Sequence, residues 1–213
     1  MSNLDGRVVS VNVGTPRTIE WQGKEVTTSI WKSPVIGRVA ARGVNLDGDD
    51  QANRLAHGGP DKYVYSYAWE DTQWWEETLG RRLEPGVFGE NLTLAGVDVS
   101  HAVIGEEWEI GEARFQVRQP RIPCEKLDAR MGERDFRLRF AAADRPGAYL
   151  MIVREGELGS GDAVRVVHRP AHGVTVADIA IAYHRDRARV ARLLAAPDLT
   201  DFWRQWATKQ LQG

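Results

Sequence analysis

Cysteine occurs once in the 213 residues. A single thiol excludes an intramolecular disulfide, four-cysteine iron–sulfur ligation, zinc fingers and Cys-x-x-Cys redox chemistry. Any thiol chemistry runs through Cys124. An excess of basic charge is also missing. Lys and Arg number 28 against 30 Asp and Glu, a formal net charge of −2, so the basic stripe of a dedicated nucleic-acid binder is not expected. Long apolar runs are absent too: residues 149–153 fall far short of the about 20 residues of a membrane span. Residues 1–12 lack the apolar core of a secretory signal, so the expectation is a cytoplasmic protein with no membrane or nucleic-acid partner. There is no Gly-x-Gly-x-x-Gly, P-loop, His-Glu-x-x-His or Gly-x-Ser-x-Gly motif. His101, His168, His172 and His184 show no ligand spacing.

What remains is ordinary globular material. The chain is 42% hydrophobic and 27% charged, with a mean hydropathy of −0.42, enough to build a core and unlike a disordered chain. The first two-thirds reads as short strands. Val9, Val11 and Val13 alternate with Ser10 and Asn12, the period of a half-buried strand. Residues 18–22 and 25–31 flank Gly23 as a hairpin would. Tyr63, Tyr65 and Tyr67 alternate with Val64 and Ser66, and residues 91–94 are short and β-like. Residues 103–104, 108–110 and 115–117 are spaced by Gly105 and Gly111 like a meander. Residues 149–153 and 163–167 complete the set, separated by a turn-rich stretch. Many short strands with glycine turns indicate a barrel or sandwich.

Helices interrupt the strands. Trp69–Leu79 places Ala68, Thr72, Trp75 and Leu79 on one face, with Gly80 as its stop. Residues 124–130 and 134–142 form two more. After Arg169-Pro170 breaks the last strand, Thr175-Val176-Ala177-Asp178 resembles a capping box with Asp in place of Glu. It opens an apolar segment at 176–183, and residues 186–195 and 199–211 follow as further helices. The expected division is a mainly β domain over 1–168 and a three-helix C-terminal segment over 169–213. Ile179, Ile181, Leu193, Leu194, Phe202, Trp203, Trp206 and Leu211 are more apolar surface than three short helices can bury among themselves. They must therefore pack on the barrel or on a second copy, and a homodimer is the expected arrangement.

Cys124 lies in Gln119-Pro120-Arg121-Ile122-Pro123-Cys124-Glu125-Lys126. A lone cysteine is most often a small buried hydrophobe. Here two prolines hold the loop, and a helix begins where the thiol sits, a setting that favours a thiolate. Residues 114–139 hold eight Lys and Arg against four Asp and Glu, in a chain of net −2. Such a balance attracts phosphate or oxoanion, although several of these arginines simply line a solvated face. His57-Gly58-Gly59-Pro60-Asp61-Lys62 forms a tight loop whose backbone N–H groups can face an anion, or a plain turn with a surface histidine. Phe88-Gly89-Glu90-Asn91-Leu92-Thr93 sets a carboxylate and an amide beside a glycine turn. Those groups can hold a polar ligand, but in isolation capping of their own loop is the favoured reading. The eight tryptophans are most simply core.

Together these stretches resemble the MOSC domain family, closest to its stand-alone bacterial branch with a C-terminal three-helix segment. The resemblance rests on residues 57–62, residues 85–93, Ile104-Gly105 with Ile110-Gly111, residues 119–124 and Gly161-Asp162, in the family's order. It implies a β-barrel holding a pterin molybdenum cofactor. Cys124 matches the family cysteine that ligates molybdenum. Arg121, Lys126, Asn91, Gly58, Gly59 and Lys62 match cofactor-side positions, and His57 or Asp61 would relay protons. The implied activity is reduction of N-hydroxylated compounds such as hydroxylaminopurines, hydroxylamines or amidoximes by oxygen-atom transfer. Electrons would come from a separate flavoprotein or ferredoxin-type donor, since no flavin, haem or iron–sulfur motif is visible. Two other classes stand beside it: a sulfur or cofactor carrier with a persulfide on Cys124, and a non-enzymatic metal-binding module using His57 and Cys124.

Overall fold

Strand alternation serves two cores in this chain. A computed structural model describes residues 6–50 and 64–213. In chain order its strands are β1 (Gly6–Val13), β2 (Arg17–Trp21), β3 (Lys24–Thr28), β4 (Ser33–Pro34), β5 (Arg38–Arg42), β6 (Asn45–Leu46), β7 (Val64–Ala68), β8 (Leu92–Ala95), β9 (Glu107–Ile110), β10 (Ala113–Pro120), β11 (Ala148–Arg154), β12 (Gly156–Gly159) and β13 (Ala163–His168). The helices are α1 (Trp69–Leu79), α2 (Glu125–Met131), α3 (Phe136–Ala142), α4 (Val176–His184), α5 (Val190–Leu193) and α6 (Asp201–Gln212), with a 3-10 turn over Arg187–Arg189. Seven strands close into a barrel in the order β13-β9-β10-β11-β7-β8-β1, and β1 returns to β13. Only β7 and β8 pair in parallel within it, with α1 in the crossover between them, as parallel strands require. The mainly β barrel with helices expected from the sequence is what forms.

The tyrosine strand explains the layers. All five residues of β7 are buried. Val64 and Ala68 face the barrel core with Val11, Leu92, Phe115 and Leu150. Tyr65 and Tyr67 face outward into a second core with Trp75, Phe88, Leu127, Phe136 and Phe140. There Trp75 Nε1 donates to the Tyr67 hydroxyl at 2.9 Å, and the Tyr67 and Phe88 rings lie 4.7 Å apart. This aromatic layer fixes α1, α2 and α3 on the barrel wall.

Several expectations need correction. The valine alternation of β1 is broken by a bulge between Val8 and Ser10. Val8 and Val11 are therefore buried, together with Ser10 and Asn12, while Val9 and Val13 are half-exposed. Val103 and Ile104 form no strand in the meander. Val103 makes an isolated bridge to Thr175, and the Ile104 N–H donates to the Val174 carbonyl at 3.0 Å. The turn-rich stretch after β11 contains β12, which pairs with β5. The 18–31 hairpin is shorter than expected, its second strand ending at Thr28.

The C-terminal helices join the barrel of their own chain. Val174, Val176, Ile179, Leu193, Leu199 and Trp203 belong to the barrel's core cluster. Trp203 Nε1 donates to Gln119 Oε1 on β10 at 2.9 Å. The His172 ring accepts from the Val174 N–H at 3.0 Å through Nδ1, which leaves its Nε2 hydrogen for the Ile104 carbonyl at 3.1 Å. Gly105, at φ +84°, lies where a Cβ would come within 2.5 Å of the Asp198 carboxylate, so the tail packs tightly on the turn. The expected capping box is present, with Thr175 and Asp178 bonding reciprocally. Much of the apolar surface that motivated a second copy is thus covered by the chain's own barrel.

Trp203→Ala is expected to lower unfolding free energy by about 3–5 kcal/mol, the usual cost of emptying a buried tryptophan site. Urea midpoints at constant m-value measure it. A loss under about 1 kcal/mol would show that the tail does not unfold with the barrel.

Candidate functional site

Beyond Pro120 the chain leaves β10 through Arg121, Ile122 and Pro123, and Cys124 is the residue before α2. The thiol is half-buried. It borders an open hollow of about 650 Å³, whose lining includes Pro123, Glu125 and Asp128 on one side and Trp21 and Gln22 on the other. Trp21 and Gln22 come from the hairpin of β2 and β3, which among the described residues pair only with each other. The expected turn is present: Gln22 and Gly23 both take positive φ, the pattern of a two-residue hairpin loop.

Arg121 is buried beside the thiol, 7% exposed. Its Nη1 donates to the Phe88 carbonyl, and its Cζ lies 5.1 Å from the Tyr65 ring centroid. Burial raises the phenol pKa of Tyr65 and Tyr149, so both stay neutral beside a guanidinium that does not lose its proton. No carboxylate among the described residues pairs with Arg121. The other arginines of the basic segment divide clearly. Arg114 pairs with Glu107 and Glu109, Arg137 with Asp128 and Asp135, and Arg139 with Glu133. Arg130 is different: its Nε is buried without a hydrogen-bond partner.

The loop over 85–91 braces this site. Glu90 is fully buried. Its Oε1 accepts from Gly86 N–H at 2.6 Å and Thr93 Oγ1 at 2.9 Å, and its Oε2 from Phe88 N–H at 3.0 Å. Burial, the largest influence, raises the Glu90 pKa despite these donors. Asn91 accepts from the Tyr65 N–H at 3.1 Å and donates to the Asn12 carbonyl at 3.2 Å, tying β8 to β7 and β1. Gly89 has φ +77°, and a Cβ there would lie 2.7 Å from Ile30 Cγ1 and 3.4 Å from Arg121 Nη1. The loop, the Ile30 segment and the buried cation are in mutual contact.

The structure places the Arg121 guanidinium within electrostatic reach of the Cys124 thiol. Asn91 spends both ends of its amide on backbone, and Glu90 holds its own loop, the favoured reading for that segment. Lys126 is half-buried on α2, one turn before Arg130. His57, Gly58, Gly59, Asp61 and Lys62 lie outside the described residues. Sequence reasoning missed Arg17, Trp21, Trp31 and Arg130. Arg130 was one of eight counted cations, and nothing local distinguishes an arginine with a carboxylate partner from one without.

Comparison with known proteins places this geometry. Residues 53–165 match the MOSC domain model. The chain is 36% identical to YflK of Bacillus subtilis over 200 residues, covering 92% of this chain and 90% of that one. Its structure resembles that of YiiM from Geobacillus stearothermophilus with a TM-score of 0.78 and 31% identity, over 97% of this chain and 99% of that chain. A protein of Gibberella moniliformis named Reductase is 27% identical over 152 residues, 70% of this chain and 27% of that longer one.

Glu90→Gln tests the brace. Glutamine offers one acceptor oxygen where three donors converge, so an expected loss of about 1–3 kcal/mol follows from the stranded N–H. The raised pKa sets the sign of the pH effect. The native state holds the Glu90 proton more tightly than the unfolded state, so this group's contribution is full below the ordinary glutamate pKa and is lost as pH rises through the native value. The variant should lack that component of the stability–pH slope. An identical slope in both proteins would assign it to other groups.

Proposed function

This chain belongs to the MOSC domain family, and we propose that it is a molybdenum-cofactor-dependent reductase of N-hydroxylated compounds, namely hydroxylaminopurines, hydroxylamines or amidoximes. One observation carries the reading: the half-buried Cys124 lies within electrostatic reach of Arg121, a buried cation with no carboxylate partner among the described residues. The donor set fits the group. A sulfur ligand suits molybdenum, and a desolvated guanidinium suits an oxo or phosphate oxygen. Among the described residues no three His, Cys, Asp or Glu converge on a metal position, so a metal at Cys124 needs ligands of its own, as a pterin dithiolene supplies.

When bound, the cofactor supplies two-electron oxygen-atom transfer. Cys124 would ligate it through Sγ. Arg121, held by the Phe88 carbonyl and the Tyr65 ring, would hold anionic oxygen without searching rotamers. Lys126 adds positive charge on α2. Gly58, Gly59 and Lys62 would bind the cofactor, and His57 or Asp61 would relay protons. Pro123 and Trp21 line the hollow at the thiol. The electron donor is a separate flavoprotein or ferredoxin-type partner. The reductase name of the fungal relative supports reductive chemistry. The openness of the hollow favours one second reading, a persulfide carrier at Cys124, because a carrier must present its sulfur to another protein.

Cys124→Ser separates the two. Under the reductase reading, protein from a cofactor-competent host loses both reduction of an N-hydroxylaminopurine with artificial reductant and most of its molybdenum, while its melting temperature holds. Wild-type turnover in the variant would overturn the mechanism. A persulfide mass on wild-type Cys124 without molybdenum would select the carrier.

A further inference from the structure

Two arginines that the proposed chemistry does not use frame Trp31. The Arg17 Cζ lies 4.0 Å from the Trp31 ring centroid, and the Arg130 Cζ lies 5.8 Å from it. The two guanidinium carbons are therefore within about 10 Å of each other. No carboxylate among the described residues pairs with either, and Arg130 Nε is buried without a partner. Arg81 lies nearby, with its Nη2 on the carbonyl of Met131, the next residue along α2. Like charges so placed repel: burial first, then Arg17 and Arg81, pull the Arg130 pKa below its ordinary value, although the buried Glu90 carboxylate acts the other way without pairing with it. A dianion between them would relieve the repulsion and satisfy the orphaned donor.

The position relative to the thiol limits the ligand. Trp31 follows Ile30, whose side chain shares the space over Gly89 with Arg121. Arg17, Ile19 and Trp21 alternate onto one face of β2. That face carries Arg17 at Trp31 and Trp21 at the Cys124 hollow. Opposite it, α2 runs from Cys124 to Arg130, six residues or about 9 Å along the helix axis. One end of this groove is sulfur and the other is an anion site beside an indole.

We propose that Arg17, Trp31 and Arg130 form a phosphomonoester subsite, so that the preferred substrate is an N-hydroxylated nucleotide rather than its free base. The assignment deepens the reductase reading, since it takes the N–O group to lie at Cys124. The phosphate would bridge Arg17 and Arg130 through charge-assisted hydrogen bonds, and the sugar and base would extend along α2 toward the thiol.

Binding tests the subsite without redox chemistry. Adenosine monophosphate, adenosine and inorganic phosphate are titrated by calorimetry into protein from a cofactor-competent host and from one unable to make molybdopterin. The expected result is tighter binding of the monophosphate than of adenosine in both preparations, competition by phosphate, and loss of about tenfold or more in Arg130→Ala and in Arg17→Ala. Arg17 is exposed on the hairpin, so its variant remains informative if Arg130→Ala folds poorly. Equal binding of adenosine and its monophosphate, or unchanged binding in Arg17→Ala, overturns the subsite. Monophosphate binding only to cofactor-free protein, with pterin content falling in Arg130→Ala, assigns the anion site to the cofactor and overturns the substrate assignment. Selective binding with no reduction of any N-hydroxylated nucleotide leaves the subsite standing and sinks the reductase reading.

Discussion

Double-sided burial of β7 is the constraint on which the rest depends. A strand with water on neither face must satisfy two packing problems with one alternating sequence. Here Val64, Ser66 and Ala68 serve the barrel, and Tyr65 and Tyr67 serve the helices outside it. Ser66 cannot hydrate, so its hydroxyl bonds the Ala148 carbonyl at 2.9 Å. Tyr65 likewise places its hydroxyl on the Pro146 carbonyl at 2.8 Å. With its phenol anchored, the Tyr65 ring face is free for the Arg121 guanidinium. The barrel, the aromatic layer and the buried cation thus share one strand. A change at Tyr65 would disturb stability and site charge together.

That buried cation is costly in the free protein. Desolvating a charge is repaid only by good partners, and Arg121 has a carbonyl and an aromatic face. A few residues away, Asp128 shows the alternative solution. It is buried, accepts from the Arg137 N–H at 2.6 Å and pairs with the Arg137 guanidinium. Among the described residues, one segment therefore holds both a closed ion pair and cations without a carboxylate. The closed pair fixes α2 against α3. Arg121 and Arg130, without a carboxylate partner among the described residues, keep fixed positive charge at the two ends of the segment that carries Cys124. This division turns a local excess of basic residues into an argument about ligand sign.

Much of the frame was legible in the sequence because its signals are local. The Trp69–Leu79 helix ends at Gly80 in a left-handed conformation as expected, and the capping box at Thr175 needs only four residues to be recognised. What stayed hidden depends on contacts far apart in the chain. Strand β5 is read from Val39, Ala40 and Ala41, and its partner β12 begins and ends in glycine. Alanine and glycine give both little strand propensity, and β5 is held in place by pairing with β12 and β6. The β1 bulge moves Ser10 and Asn12 inward, where Asn12 Nδ2 reaches Thr93 Oγ1 at 3.1 Å. No alternation pattern contains that information. For the site, the Cys124 loop was marked by its prolines and by Arg121. The role of Trp31 arises only when the hairpin lays Arg17 over it.

The hairpin also links binding to local stability. Two strands alone are marginal in water, and among the described residues β2 and β3 pair with no third strand. Among the described residues, what seats them includes the Arg17 contact on Trp31 and a 3.4 Å hydrogen bond from Arg134 to Gln22 at the tip. Both use cations on exposed side chains, where each contact contributes little. A ligand that engages Arg17 binds only the seated hairpin, and by mass action it stabilises that arrangement in proportion to its saturation. The same residue then sets ligand affinity and hairpin order. Protection of the β2–β3 amides from hydrogen exchange must rise with ligand concentration, while the barrel amides, held by the closed seven-strand ladder, stay at the global unfolding limit.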